Sequence, residues 1–477
     1  MACPLNTKFA PNRKQRGAAL MVMLVIMVMG AATILVSSLS SSGLRIERDK
    51  ITADALAQAK DALIGYAVKV QIDNSDCTAF GNNCRRPGDL LCPDTDNDGD
   101  AESNCGNASG TTWQDKRLGR LPWKTLGLPD LRDGNGERLW YAVSNNFKNS
   151  TRTTCTAPGQ AGCLNSDTAG TITIRSPDGN ILDDGSTMSG AVAIIIAPGD
   201  ALTRQDNVTQ TRGCTLGVDC DAIDKCTATP ATSVPKCNPV NYLDNITSIE
   251  DNASFMDGSA TDGFIQGSIK DSSHNIILND QLLVITQDNI MYAIQKRVAA
   301  EVKQCLNEYA LNSQNMGHYP WAATLNPNNY SDASNQLFGR VPDTQFTRTK
   351  QDSNPNMNDI WSGTCNINSS SGWWLNWKEM VFYGLANAYK PLDPLNPPAA
   401  NACVTAGACM SVNPPSATAD KKFVVIVAGK KLAGQSRDSN VEKSTLSNYL
   451  EAPNSAGASP FAQSAPTATF NDTVAFP

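Results

Sequence analysis

The chain states its landmarks twice, in the same order, and that repetition constrains its architecture more than any other feature. The first pass runs through Arg86-Pro87-Gly88, Leu91-Cys92-Pro93 and Gly119-Arg120-Leu121-Pro122-Trp123. An aromatic cluster follows (Leu139-Trp140-Tyr141-Ala142, then Asn145-Asn146-Phe147), and after it the apolar run Ala193-Ile194-Ile195-Ile196-Ala197. Gly199-Asp200-Ala201-Leu202, Arg204-Gln205-Asp206-Asn207 and Asn241-Tyr242-Leu243-Asp244 close it. The second pass gives His318-Tyr319-Pro320-Trp321, Gly339-Arg340-Val341-Pro342, Trp373-Trp374-Leu375 with Trp377, and Tyr383-Gly384. Val424-Val425-Ile426-Val427-Ala428-Gly429, Leu432, Arg437-Asp438-Ser439-Asn440 and Asn448-Tyr449-Leu450-Glu451 complete it. Agreement of this kind over about 190 residues points to an internal duplication.

Ala191–Ala197 and Phe423–Gly429 are short, β-branched runs bounded by Gly or Pro, so each reads as a buried central strand. Ahead of the second lies a helix over about Gln281–Asn312, with the stripe Met291, Ile294, Val298, Val302, Cys305 and Tyr309. Asp288, Lys296, Arg297 and Glu301 make that helix too charged to cross lipid. Each unit is therefore helix first, then strands and long loops. That is an α+β fold with the helix lying on an antiparallel sheet.

The first helix differs. Residues 1–17 carry Lys8, Arg13, Lys14 and Arg16 and no acid, and Ala18–Val36 is 19 residues without a charge, enough for one bilayer crossing. The basic flank stays cytoplasmic, which places the bulk beyond an inner membrane in a single-pass topology. A cleaved signal peptide is the other reading; it fits less well, because no small-x-small site clearly ends the run. Polar Ser37–Ser42 follows, and then helical spacing resumes over Gly43–Gln71, with Leu56, Ala59, Leu63, Ala67 and Val70 on one face. Together the pieces predict one helix of about 54 residues, roughly 80 Å long.

Arg16-Gly17-Ala18-Ala19-Leu20, a basic leader ending in glycine before an uninterrupted apolar helix, resembles the type III signal of type IV pilins and type II secretion pseudopilins. The resemblance implies cutting by a prepilin peptidase between Gly17 and Ala18. It also implies packing of the helix with other pilins or pseudopilins on an inner-membrane assembly platform. Most such proteins carry Glu at the fifth mature position. Val22 stands there instead, as in K-type pseudopilins and some minor pilins, which argues against repeated use as a major subunit. A large soluble part favours the filament tip. The implied organisation is a leader over 1–17, an assembly helix over 18–71, a first pilin-like domain over 72–250 and a linker over 251–280. A second pilin-like domain over 281–451 and a flexible tail over 452–477 complete it.

Composition agrees with export. A length of 477 residues exceeds one compact core, and a formal charge of −7 leaves no basic footprint for nucleic acid. The 15 cysteines suit an oxidising compartment. Cys3 lies upstream of the implied cut, so removing the leader leaves an even number beyond the membrane. Proximity suggests the clips Cys77–Cys84, Cys92–Cys105, Cys155–Cys163 and Cys403–Cys409. Asn207–Cys237 and Pro391–Pro415 read as loops.

The strongest chemical motif is Asp94-Thr95-Asp96-Asn97-Asp98-Gly99-Asp100-Ala101-Glu102. Acids at alternate positions with glycine sixth can aim several oxygens at Ca²⁺, with Asp94, Asp96 and Asp98 as ligands, Asp100 through its carbonyl, and Glu102 directly or through water. Cys105 occupies position twelve, so the motif is closer to a short calcium loop than to an EF-hand, and an acidic turn clipped by Cys92–Cys105 is the plainer reading. Asp130–Glu137 reads as a tight turn. Trp373, Trp374 and Trp377 would either bind a carbohydrate or protein partner or fill the core under the second helix, the latter being preferred. With His274 and His318 the only histidines and no nucleophile or phosphate motif, no catalytic set is assigned and a hydrolase is disfavoured. The expected role is a non-enzymatic subunit that assembles or caps a filament; the alternative is an adhesin delivered by the same route.

Overall fold

The computed structural model describes residues 16–70, 85–103, 105, 117–148, 155, 157–159, 162–187, 189–212, 226, 235–255, 263–311, 315, 317–344, 361, 365, 367, 372–391, 403 and 407–477, the side chains of 16–26, 28–42, 235, 416 and 417 excepted. Within them the fold is mixed α/β, with several small sheets. Helix α1 (Arg16–Lys69) runs unbroken for 54 residues. From Thr52 onward one face is buried, through Ala55, Leu56, Ala59, Leu63 and Ala67, the spacing that brings side chains onto one helix face. Residues 43–51 are exposed, Leu44 and Ile46 included. The membrane crossing expected at Ala18–Val36 concerns side chains that, exposed Met27 apart, lie outside the described residues; among the described residues no helix is long and apolar enough to cross a membrane.

Two four-stranded antiparallel sheets follow one plan. In the first, β1 (Leu118–Arg120), β2 (Trp140–Val143), β5 (Ala193–Ala197) and β11 (Gln281–Ile285) lie side by side in that order. In the second, β12 (Phe338–Arg340), β13 (Val381–Leu385), β16 (Phe423–Val427) and β18 (Thr473–Ala475) do the same. Their registers agree: Gly119 and Arg120 face Tyr141 and Trp140, as Gly339 and Arg340 face Tyr383 and Phe382. Tyr141 Oη donates to the carbonyl of Leu91 and Tyr383 Oη to that of Pro320, each at 3.1 Å.

Beside each large sheet stands a three-stranded one, a hairpin joined by a later parallel strand. The first contains β4 (Ile181–Asp183), β3 (Thr173–Arg175) and β8 (Gly263–Ile265). The second contains β15 (Ser416–Lys421), β14 (Met410–Asn413) and β17 (Phe461–Ala462). Short ribbons pair β6 (Asn245–Ile246) with β7 (Glu250–Asp251), and β9 (Ile269–Lys270) with β10 (Ile276–Leu278).

The β-branched strands β5 and β16 are buried along their whole length, as central strands covered on both faces must be. Alternation along β5 separates two cores. Ala193, Ile195 and Ala197 join the helices, while Ile194 and Ile196 pack with Ile172, Ile174 and Phe264. Helix α2 (Gln287–Leu311) buries Ile290, Met291, Ile294, Val298, Val302, Cys305 and Leu306. It contacts β16, β18 and α1, while α1 contacts β5 and β11, so one core crosses both halves. The Leu164–Asp167 segment fastens the join. Leu164 N donates to Asn376 Oδ1 (2.9 Å), Ser166 Oγ to the Ala428 carbonyl (2.6 Å), and Asp167 pairs with Arg437 (2.8 Å).

Three boundaries differ from those expected. Residues 281–285 form the last strand of the first sheet, so the second helix starts at Gln287. The span 251–280, read as a linker, holds β8, β9 and β10. The span 452–477, read as a flexible tail, supplies β17 and β18 and buries Asn454, Phe461, Asp472 and Val474. Its polar residues hold it in place through hydrogen bonds, a contribution that composition does not reveal.

Among the described residues five disulfides are formed: Cys92–Cys105, Cys155–Cys163, Cys226–Cys237, Cys305–Cys365 and Cys403–Cys409. Cys77 and Cys84 lie outside the described residues. Cys305–Cys365 spans 60 residues and Cys403–Cys409 only 6. If restriction of the unfolded chain governs their worth, replacing the first pair with Ala costs about 4 kcal/mol and replacing the second about 2. Urea denaturation of the two double variants measures that order.

Candidate functional site

The Asp94–Glu102 loop is anchored before it turns. Asp94 and Arg120 exchange backbone hydrogen bonds, at 2.9 Å from Asp94 N and 2.6 Å from Arg120 N, and Cys92–Cys105 brackets the loop. Asp94 folds the turn around its own carboxylate, which accepts from Asp98 N (3.2 Å) and Gly99 N (2.7 Å). Gly99 adopts φ 88°, and a Cβ there would lie 2.8 Å from the Trp123 ring, so glycine is required. Thr95 Oγ1 donates to Glu102 Oε1 at 2.6 Å. Carboxylate oxygens of Asp94, Asp96 and Glu102 thereby lie within 4.8 Å of one another.

Asp98 and Asp100 stand outside that trio. Asp98 Oδ1 accepts from Asp100 N (2.9 Å), Lys124 Nζ donates to the Asp98 carbonyl, and Asp100 Oδ1 accepts from Thr125 Oγ1 (3.2 Å). Burial pushes Asp94 up to about 6; the Gly99 hydrogen bond opposes this, and the charges of Asp98 and Asp96 add to it. Three hard, anionic oxygens converging in a half-buried loop form a donor set that suits a divalent cation such as Ca²⁺.

The Asp130–Glu137 stretch is a turn. Asp133 Oδ1 accepts from Asn135 N and Glu137 N, both at 2.9 Å, and Asp130 is taken up by Arg132 (2.7 Å) and Arg138 (2.9 Å). His274 lies in an exposed turn. His318 Nδ1 lies 2.7 Å from the Lys390 carbonyl, and burial lowers its pKa. Trp373, Trp374 and Trp377 are at most 2% exposed, so they fill the core and present no binding surface. Gly17 and Ala18 fall in the first turn of α1, where side chains lie outside the described residues.

A repeated polar lattice escaped the sequence reading. In the first half Tyr242 lies between two guanidinium groups, Arg120 at 4.0 Å and Arg212 at 5.3 Å from its ring centroid. In the second, Tyr449 lies between Arg340 at 4.9 Å and Arg437 at 4.4 Å. Burial pushes Arg120 down to about 10, partly opposed by Tyr242 and Glu137. Arg212 Nη1 donates to the Gly199 carbonyl (2.6 Å) as Arg437 Nη1 does to that of Gly429 (3.2 Å). The counterpart of Arg437 is therefore Arg212, not Arg204. Arg204 belongs to a hairpin closed by the Thr203–Thr209 bridge, and it pairs with Asp206 (3.1 Å) and Asp251 (2.7 Å). The signal that would have found the match is the shared spacing Gln210-Thr211-Arg212 and Gln435-Ser436-Arg437. Compared with known proteins, the chain matches no protein-family model, no curated protein and no solved structure.

Proposed function

We propose that the protein is a non-enzymatic subunit of minor-pilin or pseudopilin type. It is anchored in the inner membrane with its bulk beyond it, is cut by a prepilin peptidase after Gly17, and helps assemble or cap a type IV or type II secretion filament. What carries the reading is continuity: the Arg16-Gly17-Ala18 signal and its uncharged run open α1, which continues without a break to a far end buried against a sheet. The two helix-on-sheet units, matched in strand order and register, support descent from one duplicated pilin-like domain. On this reading the first half of α1 packs with other pilins or pseudopilins at the assembly platform. The adhesin alternative loses the residues offered for it, since all three tryptophans are buried. Mass spectrometry of protein from the native membrane tests the route. A mature chain beginning at Ala18, and an uncut Gly17→Val variant, are expected; a wild-type chain that keeps Met1 overturns it.

In the same subunit, Asp94, Asp96 and Glu102 would hold Ca²⁺, whose charge would offset three clustered carboxylates and stiffen the loop against β1. Isothermal titration is expected to show Ca²⁺ uptake by the wild type. The Asp94→Asn/Glu102→Gln variant should bind at least about tenfold more weakly. Absence of uptake by the wild type rejects the site.

A further inference from the structure

Each half sets two carboxyl groups side by side: Asp244 and Asp280, both buried, in the first, and buried Asp472 beside half-buried Glu451 in the second. Asp280 immediately precedes β11, and its Oδ2 accepts from Asp244 N (2.8 Å) and Asn252 Nδ2 (2.9 Å). Asp472 immediately precedes β18, and its Oδ2 accepts from Glu451 N (3.2 Å) and Asn454 Nδ2 (2.9 Å). Both asparagines are held from behind in the same way. Asn252 bonds Ile265 N (2.8 Å) and its carbonyl (3.1 Å), and Asn454 bonds Ala462 N (2.7 Å) and its carbonyl (3.1 Å). The second acid of each pair also has matching donors. Asp244 accepts from Asn279 N (2.7 Å) and Gln210 Nε2 (2.8 Å), and Glu451 from Asn471 N (3.0 Å) and Gln435 Nε2 (3.0 Å).

One carboxyl oxygen in each setting has no donor. Asp280 Oδ1 and Asp472 Oδ1 are buried without a hydrogen-bond partner, on residues at most 1% exposed. Such an orphan is costly unless a proton fills the gap, and a buried carboxylate with a second carboxylate beside it does not ionise cheaply. Burial raises the pKa of Asp280, Asp472 and Asp244; the neighbouring carboxyl, Asp244 for Asp280 and Glu451 for Asp472, raises the first two further.

We infer that each pair shares one proton in the folded protein at neutral pH. The shared proton makes the pair a latch that fastens the last strand of each sheet to the Asn241–Asp244 or Asn448–Glu451 turn. Among the described residues, the charged groups facing the first latch are Arg204 and Arg212. Arg437 reaches the second only through Gln435, whose Oε1 accepts from Arg437 Nη2 (3.4 Å) and whose Nε2 donates to Glu451 (3.0 Å). Helix α2 contributes the neutral Gln295, which accepts from Thr473 Oγ1 at 3.0 Å. Arginine keeps its charge throughout, so the carboxyls are the groups that titrate. The folded chain keeps protons that the unfolded chain gives up above about pH 4. Stability from the latches is therefore full in acid and is lost as pH rises through the raised folded values.

Thermal unfolding of the full chain between about pH 5 and about pH 9 tests this against the Asp280→Asn/Asp472→Asn variant, whose carboxamides supply the donor at every pH. The wild-type Tm is expected to fall by about 3 °C or more relative to the variant as pH rises. Infrared spectra of the wild type at neutral pH should show a protonated carboxyl C=O stretch that weakens in the variant. Parallel Tm curves or an unchanged band overturn the inference. So does a bound metal whose chelation lowers the Tm of the wild type but not of the variant, because the pairs would then hold a cation. If the double variant does not fold, Glu451→Gln, which leaves the first pair intact, is expected to weaken the band, and an undiminished band there overturns it equally.

Discussion

The structure depends on the packing of α1 against α2. Each helix covers a sheet, and the helices also cover one another, so neither half closes its core alone. Leu63 and Ala67 of α1 and Ile294, Val298 and Val302 of α2 share one buried cluster with the central strands. At roughly 1.5–3 kcal/mol for each large aliphatic side chain fully buried, this contact outweighs any single ion pair or hydrogen bond in the molecule. The chain is shaped to permit it. Gly88 N caps the Ala67 carbonyl at 3.0 Å, and a Cβ on Gly88, at φ 103°, would press on Leu164 and Ile294 at 3.0–3.1 Å.

The central strands and the buried helix faces were legible in the sequence because apolar periodicity and β-branching act locally. Ala193–Ala197 and Phe423–Val427 sit where their composition places them. The order of landmarks was legible for the same reason, and it agrees with the strand order of the two large sheets. What misled was length. A hairpin between Leu202 and Gln210 has no counterpart between Leu432 and Gln435, where one glutamine side chain closes the shorter turn by accepting from Leu432 N at 2.9 Å. That insertion drew Arg204 into a match that belongs to Arg212. The C-terminal strand was missed for a different reason: Asn454, Asn471 and Asp472 are inside because they are hydrogen-bonded, and polar residues read as exposed until their partners are known.

The two kinds of acidic site show the same contrast. The Asp94–Glu102 acids crowd into one loop, so their convergence could be read from spacing, although the loop's own hydrogen bonds decide which of them point together. The latch acids are 36 residues apart in the first half and 21 in the second, and the repeated Asn-Tyr-Leu-acid run marks only one acid of each pair. Only the sheet brings them together. That the same set of amides, carboxyls and backbone donors recurs in both halves means the arrangement is a property of the unit and not an accident of one loop.

The exposed stretch of α1 from Gly43 to Ile51 has a mechanical consequence. It lies between the run proposed to enter the membrane and Thr52, the first buried side chain among the described residues. Nine helical residues rise about 13 Å, so on the proposed reading they set a stand-off between the folded mass and the plane of the lipid headgroups. Because the same helix continues into the core, the spacer is a strut and not a tether. A displacement at its membrane end is carried to both sheets through the helix pair, as a lever carries motion to its load.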